Sequence, residues 1–286
     1  MRLVRVVLRF FHGRDLNLHA GAVTFYGAVA VVPVALLTIK LAGLIAGAGR
    51  VRDLAGPVIA AMPDRLGADR ATAVLVEAGL GMSWLLTLTA LLPATWYGEG
   101  LRRAFVSLAS GPVAAPVAGP VFGPAAAPAA APVAGWRGRL LILPVLAAAP
   151  ALLLGLLLVL PGAARRLQDG GWSSVGAVIV SFLATWLVLS PVFVMVYRWC
   201  APATPAWGPT AVVGSFTAAN LSGFAHGFVL FWSLPLDLGV PFGGLDAVGA
   251  IVAVLLWLYL FHLVTLIGYG ATLQASRWWA LRSAGS

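Results

Sequence analysis

Lys40 and Glu77 are the first residues in this chain whose type and place could do chemistry. Lys40 follows an uncharged run, Ala20–Ile39, and Glu77 precedes another, Ala78–Tyr97. A charge at the rim of an apolar run snorkels to water, pairs with its opposite, or faces a cavity as a gate or ion site. If the two runs form a hairpin, Lys40 and Glu77 lie at similar depth. Snorkelling, or a pair that holds the hairpin, is then the expected arrangement, with a gate or ion site as the functional alternative. Tyr26, Pro33 and Lys40 recur every seven residues and so share one helix face. Pro33 removes a donor and frees the carbonyl of Val29. The plain consequence is a kink, and the sharper one is a carbonyl open to a cavity.

A second constellation lies near the C-terminus. Ser215, Ala219, Gly223 and Gly227 fall at successive i+4 positions, a row of small residues that lets another helix approach closely. Asn220 and His226 belong to the same run. Tyr259, His262, Leu266 and Tyr269 line one face of the next, and a polar stripe in an apolar helix normally points into the bundle. His226 and His262 are therefore expected to meet in the interior. Two histidines without a carboxylate make a weak metal site, so hydrogen-bonded structural roles are expected, with no metal and no cofactor.

No enzyme is expected. The chain has no G-x-S-x-G elbow, no H-E-x-x-H and no P-loop. Its single cysteine, Cys200, allows neither an intramolecular disulfide nor a thiolate cage. No catalytic residue is therefore expected.

The elements that must position these residues are long apolar runs. Ala20–Ile39, Ala78–Tyr97, Leu140–Leu160, Val175–Tyr197, Thr210–Trp232 and Ala247–Tyr269 carry no charged residue. Each is long enough to cross a hydrocarbon core, which takes about 20 helical residues. Of the 286 residues 61% are hydrophobic and 9% charged, with mean hydropathy +0.97. A soluble chain carries roughly 25% charged residues, so this surface faces lipid. The runs do not alternate in polarity as barrel strands do. The expectation is an all-α polytopic membrane bundle of six transmembrane helices, preceded by an N-terminal interfacial helix bearing Arg2, Arg5 and Arg9.

Net charge is +9, but the arginines sit in the joints between runs, where they set topology and meet anionic headgroups rather than nucleic acid. With the N-terminus inside, eleven arginines fall inside and six outside, while Asp53, Asp64, Asp69, Asp169 and Asp237 fall outside. That bias places both termini in the cytoplasm of a bacterial plasma membrane. Glu99 faces Arg102 and Arg103 at i+3 and i+4, which suits a short surface helix after the second run. Residues 111–135 are almost wholly Ala, Pro, Gly and Val and read as a flexible tether. It separates residues 1–110, with the first two spans, from residues 136–286, with the other four.

The order and spacing of several segments resemble the YihY/BrkB family of bacterial inner-membrane proteins. They are Asp15-Leu16-Asn17-Leu18-His19-Ala20-Gly21-Ala22-Val23-Thr24-Phe25-Tyr26 with Pro33, then Gly98-Glu99-Gly100-Leu101-Arg102-Arg103-Ala104-Phe105, then Phe242-Gly243-Gly244-Leu245, Trp257-Leu258-Tyr259 and Gly268. The likeness covers nearly the whole chain outside the Ala/Pro segment. The family often ends its last span in Gly-Ala-Glu-Leu, and this chain has Gly270-Ala271-Thr272-Leu273, without that glutamate. The resemblance implies an integral plasma-membrane protein of six helices that transports lipids or small solutes, or maintains the envelope. Some members have carried a ribonuclease BN label, but a metal nuclease needs a carboxylate or histidine cluster near water, and the proposed cytoplasmic side offers essentially Asp15 and Glu99. The leading expectation is a non-enzymatic permease or a lipid or small-solute handling factor. The alternative is a structural or interaction protein without a translocated substrate. The expected partners are the bilayer, a lipid or solute, and a second copy of the chain.

Overall fold

The structure, a computed structural model, describes residues 11, 14–62, 67–110, 135–168, 171–202 and 205–283. Among these residues it is helical throughout, with no strand. The helices are α1 (Leu16–Ala46), α2 (Ala48–Ala60), α3 (Ala68–Gly81), α4 (Trp84–Ser110), α5 (Gly135–Leu141), α6 (Leu143–Gln168), α7 (Gly171–Met195), α8 (Trp207–Ser233) and α9 (Asp246–Ser283). A π-helical turn, Val196–Cys200, ends α7, and a 3₁₀ turn, Val240–Phe242, precedes α9. At about 1.5 Å per residue, α9 with its 38 residues is far longer than the roughly 30 Å hydrocarbon core.

Four helical stretches are each long and apolar enough to cross a membrane: Leu16–Ala46, Trp136–Arg166, Gly171–Cys200 and Asp246–Arg282. The pair α3–α4 qualifies together as a fifth, bent by 118° at its break. The expected six is thus met by four or five. α8 has the length, but Thr217, Asn220, Ser222 and His226 dilute its apolar character. The outward surface is greasy: Phe25, Leu85, Leu187, Val212 and Phe216 are each two-thirds or more exposed. Such a surface belongs in lipid, and this is a membrane protein.

Antiparallel pairs build the bundle. α1 runs against α4, with His19 beside Ser107, Tyr26 beside Gly100 and Leu37 beside Ala94. α7 runs against α8, with Ser181 beside His226 and Val194 beside Gly214. α8 runs against α9, with Phe228 beside Trp257 and Thr217 beside Gly268. α9 closes onto α1 and α4, and α6 lies between α1, α2 and α7. Leu16 and Phe11 pack against the buried cluster that includes Leu273, and Arg14 lies near Arg277, so α1 begins and α9 ends at one end of the bundle. We call this the terminal end. There Arg14 sits close to Arg277, and burial together with that like charge pushes its guanidinium below the ordinary value.

The second apolar run is not one helix. Gly79 and Gly81 weaken the helix before Met82, and Ser83 restarts it: its hydroxyl accepts from the amide of Leu86 at 3.3 Å, an N-cap bond. Gly79 also lies against Ile39, where a Cβ would come within 2.8 Å of its side chain. Nor do residues 98–105 form a separate surface helix. They continue α4, and Gly98, Glu99, Gly100, Leu101, Ala104 and Phe105 are buried. Glycine is the reason: a Cβ on Gly98 would stand 2.5 Å from the carbonyl oxygen of Gly138, so α5 docks directly on the α4 backbone. The joint after α1 holds two helices, α2 and α3. The N-terminal interfacial helix at residues 1–10 and the Ala/Pro segment up to residue 134 lie outside the described residues.

Candidate functional site

A connected set of buried polar side chains, Thr24, Glu99 and His262 among them, lies in a junction of α1, α4, α5, α7 and α9 towards the terminal end. Glu99 is its charged centre, with a side chain only 10% exposed. It accepts from Arg103, one turn along α4, and from Arg139 Nε of α5 at 3.0 Å. Both arginines are partly exposed, so two cations reach out from one sheltered carboxylate. Arg102 turns the other way and donates to the carbonyls of Cys200 at 3.2 Å and Ala201 at 3.5 Å. It thereby satisfies carbonyls that the end of α7 leaves unpaired.

Beside this node His262 joins three helices. Thr24 donates its hydroxyl to Ala20 O at 2.7 Å, so towards His262 Nδ1, 3.1 Å away, its oxygen is an acceptor. Nδ1 must then carry the proton, which leaves Nε2 to accept from the Tyr97 hydroxyl at 3.1 Å. The chain of bonds Tyr97–His262–Thr24–Ala20 has one direction and no spare donor. Gly27 makes room for it: a Cβ there would stand 2.7 Å from the imidazole. Below lies an aromatic knot, with Phe105 stacked on Tyr269 at 4.1 Å between centroids and set edge-on to Tyr197 at 6.0 Å. Tyr197 donates to Thr265 O at 2.8 Å. The Tyr269 hydroxyl is buried without a hydrogen-bond partner among the described residues.

The expected site residues do not come together in one place. Tyr26 and His262 belong to the junction, Tyr26 as a ring against Gly100. Tyr259 donates to Asn17 at 3.1 Å. Pro33 sits half-buried within an unbroken α1. At the far end of α1, Lys40 donates to Leu80 O at 3.4 Å and lies 5.8 Å from the Trp84 ring centroid. It therefore stands at the α3–α4 break, where a cation suits the carbonyl end of α3. Glu77 is not its partner. Exposed Glu77 is held by Arg52 of α2, with bonds of 2.7 and 2.9 Å, because α2 supplies a closer and bidentate cation. That carboxylate raises the Arg52 pKa above its ordinary value.

His226 and His262 do not meet. His226 Nδ1 donates to Ser222 O at 2.8 Å and Nε2 lies 2.9 Å from the Ser181 hydroxyl of α7, so it serves the α7–α8 pair instead. The small-residue row is turned from its expected seat. Gly223 is exposed, Ala219 and Gly227 are half-exposed, and the buried face of α8 is Thr210, Gly214, Thr217, Ala218, Leu221 and Ser222. Of the four small residues, Ser215 makes the interhelical bonds, accepting from Trp186 Nε1 at its carbonyl (2.9 Å) and hydroxyl (3.2 Å). Asn220 faces outward beside an open groove of about 590 Å³ bounded by Phe216, Ala219, Gly223, Gly227 and Trp257.

Reasoning from sequence misses Thr24, Tyr97 and Arg139 as partners and places Glu99 on the surface. Tyr97 ends an apolar run and so looks like an interface anchor. The usable signal is Gly98-Glu99-Gly100, since glycines on both sides of a charge let other elements close over it. Thr272 stands where the resemblance places a glutamate. It is buried and donates to Gly268 O at 2.9 Å, so no charge needs a partner there. Among the described residues no three of His, Cys, Asp and Glu come together as a metal set would.

No curated protein and no solved structure matches this chain. The Virulence factor BrkB family model matches residues 7–283, which takes in every helix just described, and the protein belongs to that family.

Proposed function

We propose that the protein is a non-enzymatic factor of the bacterial plasma membrane that moves or handles a lipid or small solute. In this reading α1, α4, α6, α7, α8 and α9 cross the bilayer, giving six spans with both termini in the cytoplasm. The observation that carries the reading is the broken α3–α4 span with Lys40 at its break. With α4 as the span, the break leaves backbone carbonyls at its outer end beside a cation, and such a place suits a path or a ligand site. The arginines support a role without nucleic acid, since Arg52, Arg102, Arg103 and Arg139 are engaged with Glu77, backbone carbonyls and Glu99.

The test is purified protein in sealed vesicles carrying fluorescent phosphatidylethanolamine or phosphatidylglycerol, scored by dithionite bleaching of the outer leaflet, with entrapped-solute efflux scored alongside. Faster movement with wild-type protein, reduced about tenfold or more in Lys40→Ala that remains folded, is expected. Vesicles that behave as protein-free ones sink the proposal. One observation favours the alternative, an envelope interaction protein without a translocated substrate. Tyr26 and His262 are wedged in the junction, His226 is tied to α7 and Asn220 faces outward, so the polar residues do not line one passage.

A further inference from the structure

Asn220 is the polar residue least suited to its place. It lies thirteen residues from each end of α8, hence at mid-depth if α8 crosses the bilayer as proposed above, and it is exposed. One amide hydrogen goes to Phe216 O at 2.8 Å. Its other hydrogen and its Oδ1 face the groove without a partner among the described residues. In hydrocarbon an unmade amide bond is costly, and the usual remedy is a bond to another helix.

We propose that this face of α8 is a two-fold interface with a second copy of the same chain. The groove and its neighbour specify the occupant. An amide is its own complement, with a donor and an acceptor side by side, so two Asn220 side chains across a two-fold axis satisfy each other. A lipid acyl chain offers neither group. The steric pattern is self-complementary in the same way. Phe216, 69% exposed, stands as a ridge between the groove at Asn220 and a second hollow of about 520 Å³ lined by Trp186, Val212 and Ser215. A ridge beside a hollow on one surface is what an isologous contact needs, since each copy offers the knob that the other's hole accepts. Ala219 and Gly223 leave the α8 backbone open to close approach at the amide.

The full chain with Cys200→Ser is used to test this, carrying either Ala219→Cys, which lines both hollows and leaves the Asn220 amide in place, or Val32→Cys, exposed near the middle of α1. In native membranes under mild oxidation, Ala219→Cys is expected to give a dimer band and Val32→Cys none. Asn220→Leu, whose isosteric side chain leaves the monomer fold intact, is expected to weaken dimerisation in vesicles about tenfold or more by energy transfer between labelled copies. Equal cross-linking at both sites, or undiminished dimerisation of Asn220→Leu, overturns the proposal. So does a monomer with bound lipid in native mass spectrometry. Water-soluble maleimide separates the two layers of argument. Labelling of Ala219→Cys means that α8 is not in the bilayer and the six-span reading fails, whereas an unlabelled and uncross-linked Ala219→Cys means that only the dimer fails.

Discussion

At the terminal end, α1, α4 and α9 each bring side chains with almost no exposure to a common centre: Val23, Leu101, Phe105, Leu266 and Tyr269, joined by Tyr197 from the close of α7. Along α7 from Gly171 to Met195, by contrast, Ala177 alone is buried among the described residues. The first three turns of α9, residues 246–256, are likewise mostly exposed. Both regions are apolar, so hydrophobicity does not distinguish them. Close backbone approach does. At the terminal end Gly27, Gly98, Gly100 and Gly138 let large or charged groups sit against bare backbone, and buried polar groups then tie the helices together. Where such seats are few, the chain leaves its surface to lipid or to another molecule.

The sharpest way to break this contrast is to make the same truncation in both regions. Phe105→Ala should cost about 3–5 kcal/mol, the range for deleting a fully buried aromatic. Phe216→Ala, at an exposed position, should cost under about 0.5 kcal/mol in the detergent-dispersed monomer. Reversible unfolding in mixed micelles reads both. Similar losses at the two sites would erase the distinction.

The charged node offers an asymmetric pair of tests. Removing both Arg103 and Arg139 strands a sheltered carboxylate and should cost about 3 kcal/mol or more. Glu99→Gln should cost about 1 kcal/mol, because the two partly exposed arginines can turn to water or headgroups. Equal costs would mean that Glu99 is not sheltered as described.

The hydrogen bonds of His262 are worth less. Thr24→Val should cost about 0.5 kcal/mol, since hydrogen bonds inside membranes average roughly 0.6 kcal/mol each. His262→Ala also empties the space of a ring that is 3% exposed and should cost about 2–4 kcal/mol, and equal losses from the two changes would show that the ring is not packed as described.

How much of this was legible in the sequence follows from what each signal depends on. The apolar runs are local, and the first, fifth and sixth each lie within one helix, including α8 from Thr210 to Trp232, while the third starts across the α5–α6 joint and the fourth runs into the π turn after α7. The break before Trp84 was written in Gly79, Gly81 and Ser83, but it lies inside an uncharged stretch that hydropathy reads as continuous. Partners were harder. Glu77 sits at the depth expected for Lys40, yet a helix in the joint brings Arg52 nearer, and sequence spacing does not foresee that. The histidines share membrane depth with many groups, and their angle about the helix axis decides which they meet. For the small-residue row, an offset of about one position moves it from the packed face of α8 to the open one.

The smallest effects are expected at the far end and in the tether. Glu77→Gln removes an exposed ion pair and should leave unfolding unchanged within error. Replacing residues 111–134 by Gly and Ser at equal length should do the same, because Gly98 against Gly138 and Glu99 with Arg139 seat α5 on α4 independently of the tether. A marked loss from either change would give these segments a structural role that the helices do not reveal.

Cysteine accessibility asks most directly whether the terminal half of the bundle is closed. In a Cys200→Ser background, Ala30→Cys and Leu266→Cys place thiols at positions with 2% and 0% exposure. Neither should react with a small water-soluble thiosulfonate in intact membranes, while both should react after denaturation. Rapid modification of either thiol in the native protein would reveal a water-filled passage through the junction and refute its closure.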